Sequence, residues 1–340
     1  MDRRTFLQLT AAAGAGLALS PYKGTKMGIV VHSYAFRWQS KMSSNKFFPF
    51  KDALDFLDHT SEIGAAGIQV MVNGWDTAFA KKVRDRREKL GLYLEGSIGM
   101  PNKAEDVTAF EQTVINAKEA GATVLRTVTS TGRRYEVYHS MAEVEDFQKK
   151  AMDSIHWAEP ILKKHKVKLA VENHKDWRAP ELAAAMKQLS SEWVGVTLDF
   201  GNSVSLLEQP MDVINTLVPY VVSTHVKDMA IEEYEDGFLL SEVPLGEGFV
   251  DLDKAFALCK KNNPDVKFSL EMITRDPLQI PCRTQGYKDV VGDDESALKK
   301  ILAKQKQKLP RVSQLDDEGK LAVEEKNIIE SIDYSKSHIK

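Results

Sequence analysis

Cysteine is scarce in this chain. Two residues among 340, Cys259 and Cys282, do not make a disulfide framework, and both are expected as unlinked thiols, one in a helical pattern and one in a later loop. An excess of either charge is also missing. The net charge is −3, and lysine and arginine are spread along the chain, so no basic stripe is available to follow a phosphate backbone. Nucleic acid is therefore not an expected partner. No glycine fingerprint follows the first strand-like segment, which argues against an open doubly wound sheet. What is present is 43% apolar content, enough to fill the core of one large α/β barrel or of two ordinary domains.

The opening residues read as an address. Arg3-Arg4 is followed two residues on by Phe6-Leu7, and then by the small, apolar run Leu9 to Leu19, too short to span a bilayer in comfort. Residues 1–20 resemble a twin-arginine-type signal peptide, with Ala18 and Ser20 placed for cleavage after Ser20. The expectation is an exported, periplasmic protein without a stable membrane anchor.

The chain is organised around Lys166 to His174, an apolar stretch that reads as a strand and stops on Glu172 and His174. Side chains alternate along a strand, so these two point the same way. Val194 to Asp199, Val221 to His225 and Lys267 to Glu271 repeat the pattern, each an apolar run ending on an acid or a histidine. The intervals of 27, 26 and 46 residues, with helix-like sequence between, match successive βα units. Upstream, strands are expected at Met27 to His32, Gly67 to Val72, Leu92 to Glu95 and Val124 to Val128. Helices are expected at Phe50 to Ile63, Ala78 to Leu90, Ala104 to Ala120 and Met141 to Lys164. Gly64, Gly91 and Gly121 stand where these helices should stop. Eight units without a long linker close most simply into one (β/α)8 TIM barrel over residues 27–309. A charged extension over 310–340, helical from Leu315 to Ile332, is expected at its periphery.

In such a barrel Glu172, Asp199, His225 and Glu271 converge at one mouth. Three carboxylates and an imidazole without thiolate suit one divalent metal ion, Mn, Mg, Co or Zn. Without a cation, their shared burial would drive carboxylate pKa values up. His174 and Lys227 share the phase of Glu172 and His225 and are candidates to bind substrate. For His174 a supporting hydrogen bond is an equal alternative, and for Lys227 an ion pair with Asp228 or Glu247. Arg126 ends the fourth strand, where it either reaches inward or pairs across barrel layers. Trp38, Trp75 and Trp177 each follow a strand, as sugar-stacking faces or as packing. Arg133-Arg134 reads as a phosphate grip or, more commonly, as a solvated pair.

Glu172 in Val-Glu-Asn-His, Asp199 in Leu-Asp-Phe-Gly-Asn, His225 in His-Val-Lys-Asp and Glu271 in Leu-Glu-Met resemble the metal site of the xylose isomerase-like TIM-barrel superfamily. Gly246-Glu247-Gly248, with Asp251 opening the next helix, is similar to a segment that follows the histidine strand there. The resemblance implies that Glu172 and Glu271 both hold metal and shuttle protons. Two departures count against a plain ketose epimerase: Asn202 stands where a histidine is common, and Ile231 where a substrate-holding arginine is common. The extra histidines and second aspartate of endonuclease IV-like enzymes are absent.

The implied chemistry is metal-assisted proton abstraction beside a carbonyl. Export points to a small, unphosphorylated carbohydrate, so the expectation is a sugar isomerase or epimerase, with Asn202 among the residues near substrate. A keto-glycoside lyase or hydratase using the same glutamates for β-elimination is the alternative, and a non-catalytic sugar-binding barrel comes last. A homo-oligomer is compatible with the sequence.

Overall fold

The computed structural model describes residues 24–130, 132–305 and 308–339. The signal-like segment 1–20 lies outside them. Eight parallel strands close into a barrel: β1 (Met27–Val30), β2 (Gly67–Met71), β3 (Tyr93–Ser97), β4 (Val124–Thr127), β5 (Lys168–Glu172), β6 (Val194–Asp199), β7 (Val221–Val226) and, after the excursion β8 (Asp228–Tyr234) and β9 (Gly237–Val243), β10 (Phe268–Leu270). β10 pairs with β7 on one side and with β1 on the other, where Met27 lies beside Phe268. The barrel strands are buried on both faces, so β6 is inaccessible along its whole length. This is why they read as apolar runs rather than as alternating patterns.

The helices begin and end where their chemistry directs. The Asp52, Asp76 and Ser140 side chains accept from the backbone N–H groups of Leu54, Phe79 and Glu143. Gly91 ends the helix Thr77–Leu90 at φ 68°, a left-handed position that suits glycine. Several expected boundaries shift. Phe50 belongs to a bridge with Trp38, and the helix expected from it runs over Ala53–Glu62. Lys166 is not in a strand but is the left-handed cap, φ 54°, of the helix Met141–His165, so β5 starts at Lys168.

The long interval between His225 and Glu271 holds more than a helix. β8 and β9 form an antiparallel hairpin, extended by β11 (Leu278–Ile280) into a three-stranded sheet outside the barrel. The carboxylate of Asp228, at the start of β8, accepts from the N–H groups of Gly246 (3.0 Å), Gly248 (2.8 Å) and Val250 (3.0 Å). The Gly246-Glu247-Gly248 segment is thus a backbone cradle that ties the hairpin to the helix Leu252–Asn262.

The C-terminal extension is helical over Asp317–His338 and is integral to the barrel, not peripheral as expected. Glu324 accepts from the N–H of Phe36, Asn327 donates to Thr274 just beyond β10, and Ser335 donates to Thr25 just before β1. The helix therefore runs from the C-terminal mouth to the opposite end, alongside the seam between β10 and β1. Ile328 and Ile332 enter the continuous core. Ile328 is fully buried, so Ile328→Ala should cost about 2–5 kcal/mol of unfolding free energy in a urea titration. A loss below about 1 kcal/mol would mean that the helix does not complete the barrel.

Candidate metal centre

Glu172 and Asp199 are the last residues of β5 and β6, His225 is the next-to-last of β7, and Glu271 directly follows β10. These strands are neighbours in the barrel, and Asp199 and Ser269 flank His225 in register. Each of the four side chains offers a ligand atom within 4.8 Å of the others, and all are buried.

The protein holds one side of each ligand and leaves the other facing inward. Asp199 Oδ1 accepts from the N–H groups of Gly201 (2.9 Å) and Asn202 (2.7 Å), while its Oδ2 faces inward, 3.1 Å from Lys227 Nζ. Glu172 accepts from Asn202 Nδ2 (2.9 Å) and Arg126 Nε (2.5 Å). Glu271 Oε1 and His32 Nδ1 lie 3.1 Å apart, within hydrogen-bond distance. Beneath them, the Ser223 hydroxyl (2.6 Å) and the Gln69 amide N–H (3.1 Å) donate to Glu95, which turns Gln69 Oε1 toward His225 Nε2 at 2.7 Å. That contact places the Nε2 proton on Gln69 and leaves Nδ1 facing Glu271, Glu172 and Asp199 at 3.3, 3.5 and 3.8 Å, without a hydrogen bond. An inward imidazole nitrogen and an inward carboxylate oxygen, both buried and met only by the charged side chains of the same cluster, fit a divalent cation.

The charges are strongly coupled. Burial opposes ionisation of Glu172, yet Arg126 and His225 hold it well below the usual carboxylate range, and His225 and Lys227 do the same for Glu271. Burial pushes Asp199 up against the pull of Lys227. Burial disfavours the His225 imidazolium, but Glu271 and Glu172 outweigh it and push the group up to about 10. Lys227 Nζ lies 2.7 Å from Glu271 and 3.1 Å from Asp199, so it pairs with the ligands themselves. Its alternative partner Asp228 is taken by the glycine cradle.

Arg126 pairs across strands with Glu172 and also donates to Ser97. His174, Arg126, Lys227 and Glu271 border a cavity of about 210 Å³ at the mouth, and Arg126 also borders a second one of about 1030 Å³ edged by Met71, Ile98, Met100 and Phe147. None of the three tryptophans lines either cavity. Trp38 packs on Phe56, Trp75 on Phe79, and Trp177 is buried against Phe147 with its indole N–H on Thr129. The geometry corrects the aromatic platform in favour of packing, because each loop turns its indole back onto the core. Arg134 is buried on Val290 O and Glu181, whereas Arg133 pairs with Glu136 at the rim. Cys259 and Cys282 are both free.

Sequence reasoning missed Gln69, Glu95, His32, Lys175, Glu242 and Arg275. Glu95 carried a signal, an acid closing an apolar run, but it lies a layer below the ligands. Glu242 sits on the unforeseen hairpin.

A proton and a divalent cation compete for His225 Nδ1, so Mn²⁺ affinity should rise with pH from about 6 to about 9, by up to about tenfold per unit. Calorimetry in buffers of different ionisation enthalpy should detect the released proton. Gln69→Leu frees the imidazole and should weaken Mn²⁺ binding about 10–100-fold against a competing chelator. Unchanged affinity would remove Gln69 from this role.

Comparison with known proteins agrees with this architecture. Over 251 residues the chain is 27% identical to 3-oxo-isoapionate decarboxylase of Pectobacterium atrosepticum, covering 72% of this chain and 85% of that protein. The structure resembles D-psicose 3-epimerase of Clostridium cellulolyticum at a TM-score of 0.57 and 12% identity, over 92% of this chain and 99% of that one. It resembles the 3-keto-D-glucoside 4-epimerase YcjR of E. coli at a TM-score of 0.55 and 14% identity, over 81% and 99%. Likeness at such identity shows the fold alone. A family model described as xylose isomerase-like TIM barrel matches residues 57–300, and the chain belongs to that family.

Proposed function

We propose that this protein is a metal-dependent sugar isomerase or epimerase that removes a proton beside a carbonyl, acting outside the cytoplasm on an unphosphorylated sugar or related hydroxy-carbonyl compound. The observation that carries this reading is the unequal exposure of the two glutamates. Glu271 borders the 210 Å³ cavity, whereas Glu172 does not and is clamped by Arg126 and Asn202. Glu271 is therefore assigned as the base that meets substrate, and Glu172 as a fixed ligand. His32, 42% exposed and 3.1 Å from Glu271, is placed to pass the abstracted proton onward. Lys227, between Glu271 and Asp199, is placed to stabilise charge that develops on the substrate oxygen. A divalent ion held by Glu172, Asp199, His225 and Glu271 would polarise the carbonyl and stabilise the enediolate.

The same proton abstraction leads to a lyase outcome when a leaving group lies next to the carbanion. The relative named as a decarboxylase supports keeping a lyase outcome in view, since loss of CO₂ beside a carbonyl reaches the same enolate by C–C cleavage in place of proton removal. Mass-resolved product analysis separates them, since isomerisation conserves mass and elimination or decarboxylation does not. Glu271→Gln should lower turnover at least about 10²-fold and abolish deuterium uptake from D₂O at the reacting carbon. Undiminished exchange in a variant shown to retain metal would sink the assignment.

A further inference from the structure

The small cavity beside the metal ligands is lined by five fixed cations, Arg126, Arg133, Lys175, Lys227 and Arg275, against two carboxylates, Glu136 and Glu271. Four of the cations have counterions within the protein. Arg126 pairs with Glu172, Arg133 with Glu136, Arg275 with Glu242, and Lys227 with Asp199, Glu242 and Glu271. Lys175 does not. It is 4% exposed, and among the described residues its Nζ donates to the neutral Asn202 Oδ1, an oxygen it shares with Lys227, while no ion pair includes it. Burial and the nearby Lys227 lower it to about 8, so much of it still carries charge at neutral pH. An ammonium held out of water beside other cations, with Glu242 and Asp199 acting on it only from beyond ion-pair distance, is costly to the protein alone.

The backbone shows that the position is imposed. Lys175 has φ 151°, a conformation that side-chain-bearing residues rarely adopt. Its carbonyl accepts from Arg134 N–H (2.9 Å). The next residue, Asp176, is buried and accepts from the N–H groups of His174 (3.3 Å) and Trp177 (2.9 Å) and from the Thr129 hydroxyl (3.2 Å). Asn173 is pinned in turn on the Asp199 backbone through both ends of its amide. Strain held in place on both sides, with a buried charge at its centre facing a cavity, indicates a side chain presented to a ligand.

We infer that Lys175 is the anchor for an anionic group on the substrate, and that the substrate is a hydroxy-carbonyl compound carrying a carboxylate, a keto sugar acid rather than a neutral sugar. This rests on the proposed reading that the cavity is the substrate site. The carboxylate would accept from Lys175 Nζ, and the carbonyl carbon would sit toward Glu271.

D-Fructose and 2-keto-D-gluconate test the inference directly, because they differ at one end only, in a hydroxymethyl group or a carboxylate. Calorimetry on Mn²⁺-loaded and on EDTA-treated full-length protein should show the acid binding about 10–100-fold more tightly than fructose in both forms. A preference that persists in metal-free protein belongs to Lys175 and stands even if the metal-dependent reaction is not found. Lys175→Met should remove the preference, and Lys175→Arg should retain most of it. Equal binding of the two sugars by the wild-type protein, no measurable binding of the acid, or a preference that survives in folded Lys175→Met would each overturn the inference. Tighter binding of D-fructose 1-phosphate than of the acid would assign the anchor to phosphate and overturn the carboxylate.

Discussion

Three carboxylates meet inside the mouth of the barrel, and the surrounding structure is arranged around the cost of keeping them there. Glu172, Asp199 and Glu271 are almost inaccessible to solvent and crowd around one imidazole. Their mutual repulsion and desolvation are offset by Arg126 on one side and Lys227 on the other, each fixed by further hydrogen bonds. Such a cluster is tolerable where charge is balanced and every remaining lone pair has a donor. It is also a site that would gain from a cation, since a divalent ion held there would replace a proton on His225 and satisfy the inward atoms together.

Register provides the precision. The four ligands come from four adjacent strands, and in parallel pairing a slip of one residue would turn an acid out of the barrel. The layer beneath, formed by Gln69, Glu95 and Ser223, fixes which imidazole nitrogen looks inward. The C-terminal helix belongs to the same economy. It lies beside the seam between β10 and β1, the strands that lead into Glu271 and His32, so it supports the side of the mouth where the proposed base stands.

The loops at the mouth do two different jobs. The Trp38 and Trp75 loops fold onto the core and stiffen the wall, with Trp38 on Phe56 and Trp75 on Phe79. The segment after β5 instead holds a strained backbone and turns a buried lysine toward the cavity. In that segment the unfavourable conformation of Lys175 coincides with a charge that no ion pair among the described residues compensates, as befits a loop that meets a ligand.

The sequence by itself determined the barrel and the four side chains that could hold a metal ion at its mouth. Apolar runs that end on Glu172, Asp199, His225 and Glu271 can be read locally, since a strand buried on both faces has to be apolar until the residue at which it leaves the core. Gly64, Gly91 and Gly121 marked helix ends for the same local reason. Tertiary structure decided what depends on contacts between distant segments. The β8–β9 hairpin hid inside an interval that read as helical, and the terminal helix looked peripheral because its buried face is small and polar in places, with Ser331 and Ser335. Which glutamate opens on the cavity, that Gln69 orients His225, and that Lys175 is buried without a carboxylate partner all follow from distances between residues far apart in the chain. A linear pattern records which face a side chain takes, but the partner that face meets is set only when the barrel closes.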